Sequence, residues 1–246
     1  MLDEGLVRQY SLCGDPSESG AWRVGVLLDP NTRGGSRHVH EQLREGATIR
    51  VRGPRNNFQL VDSPKYLFIA GGIGITPMKA MVESAERAGL DWTMIYLGRT
   101  RSTMAFQQEL HDSYGDRVTI WSDEERGGFF DLAAALAEPA SDTLIYSCGP
   151  EPLLAAVEKS CAHWPQGSLH VERFAANGLQ RLSAGFNVRE VDIVRGETFA
   201  QQSRKPGIVF NVKEPGAFAH ANQSVVGTCI TDRNRPSWRM ALAKFS

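Results

Sequence analysis

Four short stretches of the sequence combine residue types that suit a phosphorylated heterocycle and the movement of charge beside it. Gly71-Gly72-Ile73-Gly74-Ile75-Thr76-Pro77 leaves an apolar run and enters a helical one. Glycines leave its backbone N–H groups unobstructed, and the positive end of the following helix faces the same point, so the loop is suited to cradle a diphosphate. It departs from the G-x-G-x-x-G fingerprint because Pro77 stands at the third glycine, and no acid follows the next strand to hold a ribose. On the loop alone, a tight turn without a ligand is an equal reading. Ser147-Cys148-Gly149-Pro150 ends a later strand, at the sheet edge where open α/β folds place ligands. A small buried thiol is the ordinary reading of Cys148. Its place beside Gly149 and Pro150 is what singles it out. Arg8-Gln9-Tyr10-Ser11 puts Arg8 and Tyr10 on one face of a strand and Ser11 on the other. A guanidinium suits a phosphate and a phenol ring a planar heterocycle. Arg33-Gly34-Gly35-Ser36 offers free amides and a hydroxyl in a flexible turn, an anion nest. Taken singly, these last two are a cross-strand pair and a hairpin turn.

The elements that carry these stretches fall into two kinds. Residues 1–60 read as antiparallel β, with strands at 5–12, 21–28 and 48–52 separated by Gly14-Asp15-Pro16, Asp29-Pro30-Asn31 and Gly53-Pro54. From Lys65 strands alternate with helices: strand 66–70, helix 77–88 with Thr76 as N-cap and Pro77 first, strand 92–97, helix 102–114, strand 118–121, helix 131–137, strand 143–147, helix 152–162 and strand 169–171. Five strands separated by helices predict a parallel sheet covered on both faces. Residues 176–185 read as a linker and 186–246 as a tail of weak periodicity.

The 246 residues, 41% hydrophobic and 22% charged, suffice for one large or two ordinary domains, and the formal net charge of -1 supplies no field for nucleic acid or anionic membrane. The most apolar stretch, 66–81, carries three glycines and a proline with Lys65 before it, too punctuated to span a bilayer. No basic n-region precedes an apolar segment, so a cytoplasmic location is expected. Cys13, Cys148, Cys161 and Cys229 lie far apart, which argues for reduced thiols against a disulfide framework or structural zinc.

In order, Arg8-x-Tyr10-Ser11, Arg33-Gly34-Gly35-Ser36, the 71–77 loop, Cys148-Gly149-Pro150 and Glu172-Arg173-Phe174 closely resemble the phthalate dioxygenase reductase family, which includes vanillate demethylase reductases within the ferredoxin reductase superfamily. The resemblance covers about residues 5–175. It implies a partial antiparallel FMN-binding barrel at 1–60, an NAD(P)H-binding α/β domain at 61–175, the linker, and a ferredoxin-like α+β domain at 186–246. It further implies that Arg8 and Arg33, Gly34, Gly35 and Ser36 hold the FMN phosphate, that Tyr10 packs on the isoalloxazine ring, and that Ser11 hydrogen-bonds near N5. Gly71, Gly72, Gly74, Thr76 and Pro77 would cradle the NADH diphosphate, Cys148, Gly149 and Pro150 would meet the nicotinamide, and Phe174 would cover the flavin. Such a protein feeds electrons to an aromatic-ring oxygenase component, flavin accepting two electrons together and releasing them singly.

The sequence departs from the family's pattern at both ends. In the ferredoxin register C-x4-C-x2-C, Ala221 and Val226 occupy the first two cysteine positions and only Cys229 remains, with the chain ending 17 residues later. His220 is a single candidate replacement, so no two-iron cluster and no other metal is expected. Only seven residues precede Arg8, so the barrel is expected to stay open with an unpaired edge. A diverged, truncated module that binds a nucleotide without turnover is therefore the competing reading. Arg99 and Arg101 follow the second parallel strand and could meet a 2′-phosphate, favouring NADPH, although a solvated basic loop weighs more. His38 and His40 read as surface histidines, residues 123–126 as a solvated loop, and Phe58, Phe68 and Trp92 as packing.

Overall fold

The computed structural model describes residues 8–14, 21–29, 34–44, 49–50 and 55–174, and the backbone of strands at 188–195, 209–213 and 231–232. In chain order the elements are β1 (Ala21–Leu27), α1 (Gly35–Glu41), β2 (Ile49–Arg50), β3 (Lys65–Gly71), α2 (Ile75–Arg87), β4 (Asp91–Gly98), α3 (Gln107–Tyr114), β5 (Val118–Ser122), α4 (Asp123–Arg126), α5 (Leu132–Ala135), β6 (Thr143–Cys148), α6 (Glu151–Ser160), β7 (Leu169–Glu172), β8 (Val188–Arg195), β9 (Val209–Lys213) and β10 (Thr231–Asp232). The chain divides into two compact units, one of Leu60–Phe186 and one of Met1–Gln59 with Asn187–Ser246.

The Leu60–Phe186 unit is a parallel sheet in the order β5-β4-β3-β6-β7. The chain builds outward from β3 to β5, then returns to the other side of β3 as β6. That reversal opens a crevice at the carboxyl ends of β3 and β6. Side chains alternate across the sheet. On one face Ile69 and Ile145 pack with Leu132, Leu136, Val157 and Cys161 from the helices. On the other, Tyr66, Phe68, Trp92, Tyr146 and His170 form an aromatic layer, Tyr146 stacked on His170 at 4.6 Å. The Trp92 indole donates to Glu86 at 2.9 Å, and Arg117 covers its ring at 4.4 Å while forking onto the same carboxylate. That fork is the main reason the Glu86 carboxyl lies below its ordinary range.

Helix α3 begins later than expected. Residues 101–103 form a separate turn, and Phe106 adopts φ 61, which costs a non-glycine residue energy and stops a continuous helix. Burial of the Phe106 ring and the Lys79 ammonium 5.8 Å from it hold that conformation. Lys79, itself buried on α2, is neutralised by Glu83 and by Glu109 at 3.0 Å, which ties α2 to α3. The expected 123–126 loop is a helical turn because the Ser122 hydroxyl caps it, accepting from the Glu125 amide.

The other unit holds a sheet ordered β1-β8-β9-β2-β10. β1 runs antiparallel to β8 from Ala21↔Val194 to Leu27↔Val188. Segments from the two ends of the chain thus share one sheet. An unpaired main-chain edge beside buried Val24 and Val26 is costly, and the β-branched residues of 188–195 suit the pairing. An antiparallel bridge, Leu12↔Val24, and the Cys13 amide donating to the Arg23 carbonyl place residues 12–13 beside β1. Among the described residues, 8–14 make isolated bridges rather than a continuous strand. The expected hairpin turn at 33–36 enters α1: Gly34, at φ 94, turns the chain, and Ser36, His38 and Val39 are buried. His38 is therefore not on the surface, and His40 is half-buried with its Nε2 2.7 Å from the Val26 carbonyl.

Replacing Trp92 by Ala removes a fully buried ring from three aromatic and cationic neighbours. We expect it to cost about 3–5 kcal/mol, read as a lower urea midpoint.

Candidate functional site

The turn after β3 is tighter than the sequence implies. Residues Gly72–Gly74 form a 3-10 turn that runs directly into α2 at Ile75. Thr76 is therefore inside the helix and not its N-cap, and its hydroxyl donates to the Ile73 carbonyl at 3.0 Å. Pro77 is the third helical residue, still in the first turn where its missing N–H goes unneeded.

The glycines have different tasks. A Cβ on Gly74 would lie 2.1 Å from the Cys148 carbonyl oxygen, and one on Gly71 would lie 2.4 Å from Leu153 Cδ2. A Cβ on Gly149 would in turn lie 3.0 Å from Gly71 Cα. These three glycines let the turns after β3 and β6 touch. Gly72 alone has φ +52 with open space where a side chain would be, so it is the position that leaves the backbone accessible. The buried Tyr96 hydroxyl, from β4, donates to the Gly72 carbonyl at 3.2 Å and holds that turn from beneath. Sequence reasoning missed Tyr96 because an alternating aromatic in a buried strand looks like packing.

Cys148 is fully buried, and burial foremost, with the charge of Glu172, raises its thiol well above the ordinary range. Burial thus favours the thiol over the thiolate at this position. Glu172 pairs with Cys148 in the β6–β7 register, and its Oε2 is buried with no hydrogen-bond partner. Burial pushes its carboxyl up to about 7. The hydroxyl of Ser147, fully buried, also has no partner. Arg173 anchors the end of β7 on α6 through Glu151 at 3.0 Å and Glu158 at 2.8 Å, and Phe174 beyond it is exposed.

In the other unit, Arg8 lies against Gly35: a Cβ there would be 2.7 Å from Arg8 Cγ and 2.8 Å from Nε. The Ser36 hydroxyl accepts from the Asp29 amide at 3.2 Å, which fastens the turn below α1. Arg8, Gly34, Gly35 and Ser36 thus gather locally, Arg33 lying outside the described residues. Tyr10 is half-buried, and Ser11 is buried with its hydroxyl unpartnered. A buried hydroxyl without an acceptor is costly, and the group the fold implies, a flavin, carries ring nitrogens and carbonyl oxygens that would accept from it when bound. The residues present therefore fit a phosphorylated flavin. Cys229, Ala221, Val226 and His220 lie outside the described residues. Among the described residues no cluster of three metal-ligating side chains occurs, Cys13, Cys148 and Cys161 form no disulfide, and no helix is long and apolar enough to cross a membrane.

Residues 68–159, from β3 to α6, match the family model described as an oxidoreductase NAD-binding domain. The phenoxybenzoate dioxygenase subunit beta of Ectopseudomonas oleovorans is 37% identical over 237 residues, covering 94% of this chain and 72% of that protein. The vanillate O-demethylase oxidoreductase of Pseudomonas putida is 35% identical, covering 94% of this chain and 74% of that protein. The chain belongs to the phthalate dioxygenase reductase family. Reductases of this family are the components of oxygenase systems that carry electrons from NAD(P)H through a flavin. The fold agrees: a solved intact type IV self-sufficient cytochrome P450 monooxygenase is similar with a TM-score of 0.68 and 47% identity, over 73% of this chain and 24% of that one.

Two outcomes test this reading of the reductase. Gly74→Ala should destabilise the Leu60–Phe186 unit by more than Gly72→Ala, because only the former drives a Cβ into backbone; the left-handed strain at Gly72 costs about 1 kcal/mol. Thermal unfolding of the two variants compares them. Glu172, with a native pKa of about 7 against an ordinary 4.5, keeps its proton in the folded state where the unfolded chain loses it, so stability falls as pH rises between those values. Glu172→Gln should flatten that part of a Tm–pH profile.

Proposed function

We propose that this chain is the electron-input reductase of an oxygenase system, passing hydride from NADH to FMN and electrons onward to an iron-sulfur oxygenase component. The observation that carries the proposal is the contact of the 71–74 and 148–150 turns at the switch point of the parallel sheet, where only Gly72 leaves its backbone open. There Gly71, Gly72, Gly74, Thr76 and Pro77 would hold the diphosphate, through backbone N–H groups and the end of α2. The Thr76 hydroxyl is engaged by Ile73 and would contribute only by shaping the turn. Cys148, Gly149 and Pro150 would border the nicotinamide. Arg8, Arg33, Gly34, Gly35 and Ser36 would take the FMN phosphate, Tyr10 would pack on the ring, Ser11 would donate to it, and Phe174 would shield it from water. Bound FMN supplies the two-electron to one-electron conversion; the protein orients the partners and excludes water.

The reading assigns 1–60 to flavin binding, 61–175 to the nucleotide, 176–185 to a linker and 186–246 to a ferredoxin-like tail without a two-iron cluster, since Ala221 and Val226 supply no thiolate. Those same replacements favour the second reading, a nucleotide-binding module without turnover.

Reconstitution decides between them. The purified chain given FMN should show a flavin visible band that NADH bleaches anaerobically, with no stoichiometric iron or acid-labile sulfide. Absence of bound flavin after reconstitution refutes the reductase. Gly35→Ala should push the Arg8 guanidinium aside and weaken FMN binding about tenfold, the worth of one charge-assisted phosphate contact, while leaving thermal stability nearly unchanged.

A further inference from the structure

The carboxyl edge of the parallel sheet carries a second polar cluster, where β4 and β5 end side by side. The Glu124 amide and the Ser122 hydroxyl both donate to the Arg99 carbonyl, at 3.0 and 3.3 Å, so the two strand ends are fastened together. The β4 end presents Arg99 and Arg101, and the β5 end presents Asp123 and Glu125. Arg101 is engaged: its Nε donates to Glu125 Oε2 at 2.9 Å and its Nη1 to Gln107 Oε1 at 2.9 Å. The two charged side chains are 42% and 46% exposed, and an ion pair so wet adds little stability.

Position gives the pair a different meaning. In an open parallel sheet a dinucleotide lies along the carboxyl edge, its diphosphate on the helix after the first strand and its adenosine ribose over the end of the second. Here those strands are β3 and β4, so Arg101 stands on the loop that a substituent at the ribose 2′ position would meet. This step rests on the nucleotide reading of the 71–74 turn. A 2′-hydroxyl is neutral and asks nothing of the pair. A 2′-phosphate would have to draw Arg101 away from Glu125, and would then meet the released carboxylate as a like charge. No acid follows β4 in the sequence; the fold brings one from β5, 24 residues away.

We propose that Glu125 is a specificity-determining residue of this reductase: it withholds the Arg101 guanidinium from a 2′-phosphate and so sets the chain to NADH over NADPH.

Calorimetric titration of the purified chain with NAD+ and with NADP+ tests this without turnover. The wild type should bind NAD+ the more tightly. Glu125→Gln should raise NADP+ affinity relative to NAD+ about tenfold, the worth of one freed charge-assisted hydrogen bond. Adding Arg101→Gln should abolish that gain. A wild type that prefers NADP+, or an affinity ratio unmoved in Glu125→Gln, overturns the proposal and leaves the nucleotide site standing. Failure of the wild type to bind either nucleotide overturns both.

Discussion

The Gly74 backbone lies so close to the Cys148 carbonyl that a Cβ would sit 2.1 Å from its oxygen. That approach joins the turn after β3 to the turn after β6, and much of the Leu60–Phe186 unit depends on it. Gly71 and Gly149 meet in the same seam, Leu153 from α6 fills the space beside them, and Tyr96 supports the Gly72 carbonyl from β4. A side chain at any of the three contact glycines would wedge the strand ends apart, and with them the crevice that the reversal of strand order creates. The site is thus a consequence of backbone packing before any polar side chain is considered.

Around that seam the unit leaves polar groups unanswered. Ser147 and Glu172 each present a buried oxygen without a hydrogen-bond partner, and Glu172 holds a proton up to about neutral pH because burial disfavours its charge. In the other unit the buried Ser11 hydroxyl also has no partner. These three groups stand in or next to motifs shared with the family, and the buried Lys79, paired with Glu83 and Glu109, serves the joint between two helices.

The reductase family is read in this chain from its ordered motifs, and the sequence relatives extend that likeness over 94% of its length. The strands of residues 188–213 pair with β1 and β2 of the first sixty residues, so the sheet near the Arg8 to Ser11 segment is built from both parts of the chain. Local pattern reading does not find that pairing, because antiparallel contact between distant segments leaves no periodic trace.

The sequence by itself determined the alternation of strands and helices from Lys65 to Glu172, the place of the two glycine turns, and the family. These follow from hydrophobic periodicity and from local backbone demands, which short windows contain. Only the tertiary structure decided which glycine keeps its backbone open, that Thr76 lies within its helix, that α1 follows the Gly34 turn, and that Glu125 reaches Arg101. Each of those depends on what another strand brings to the same point, and contacts between residues far apart in the chain are set by the packing of the sheet.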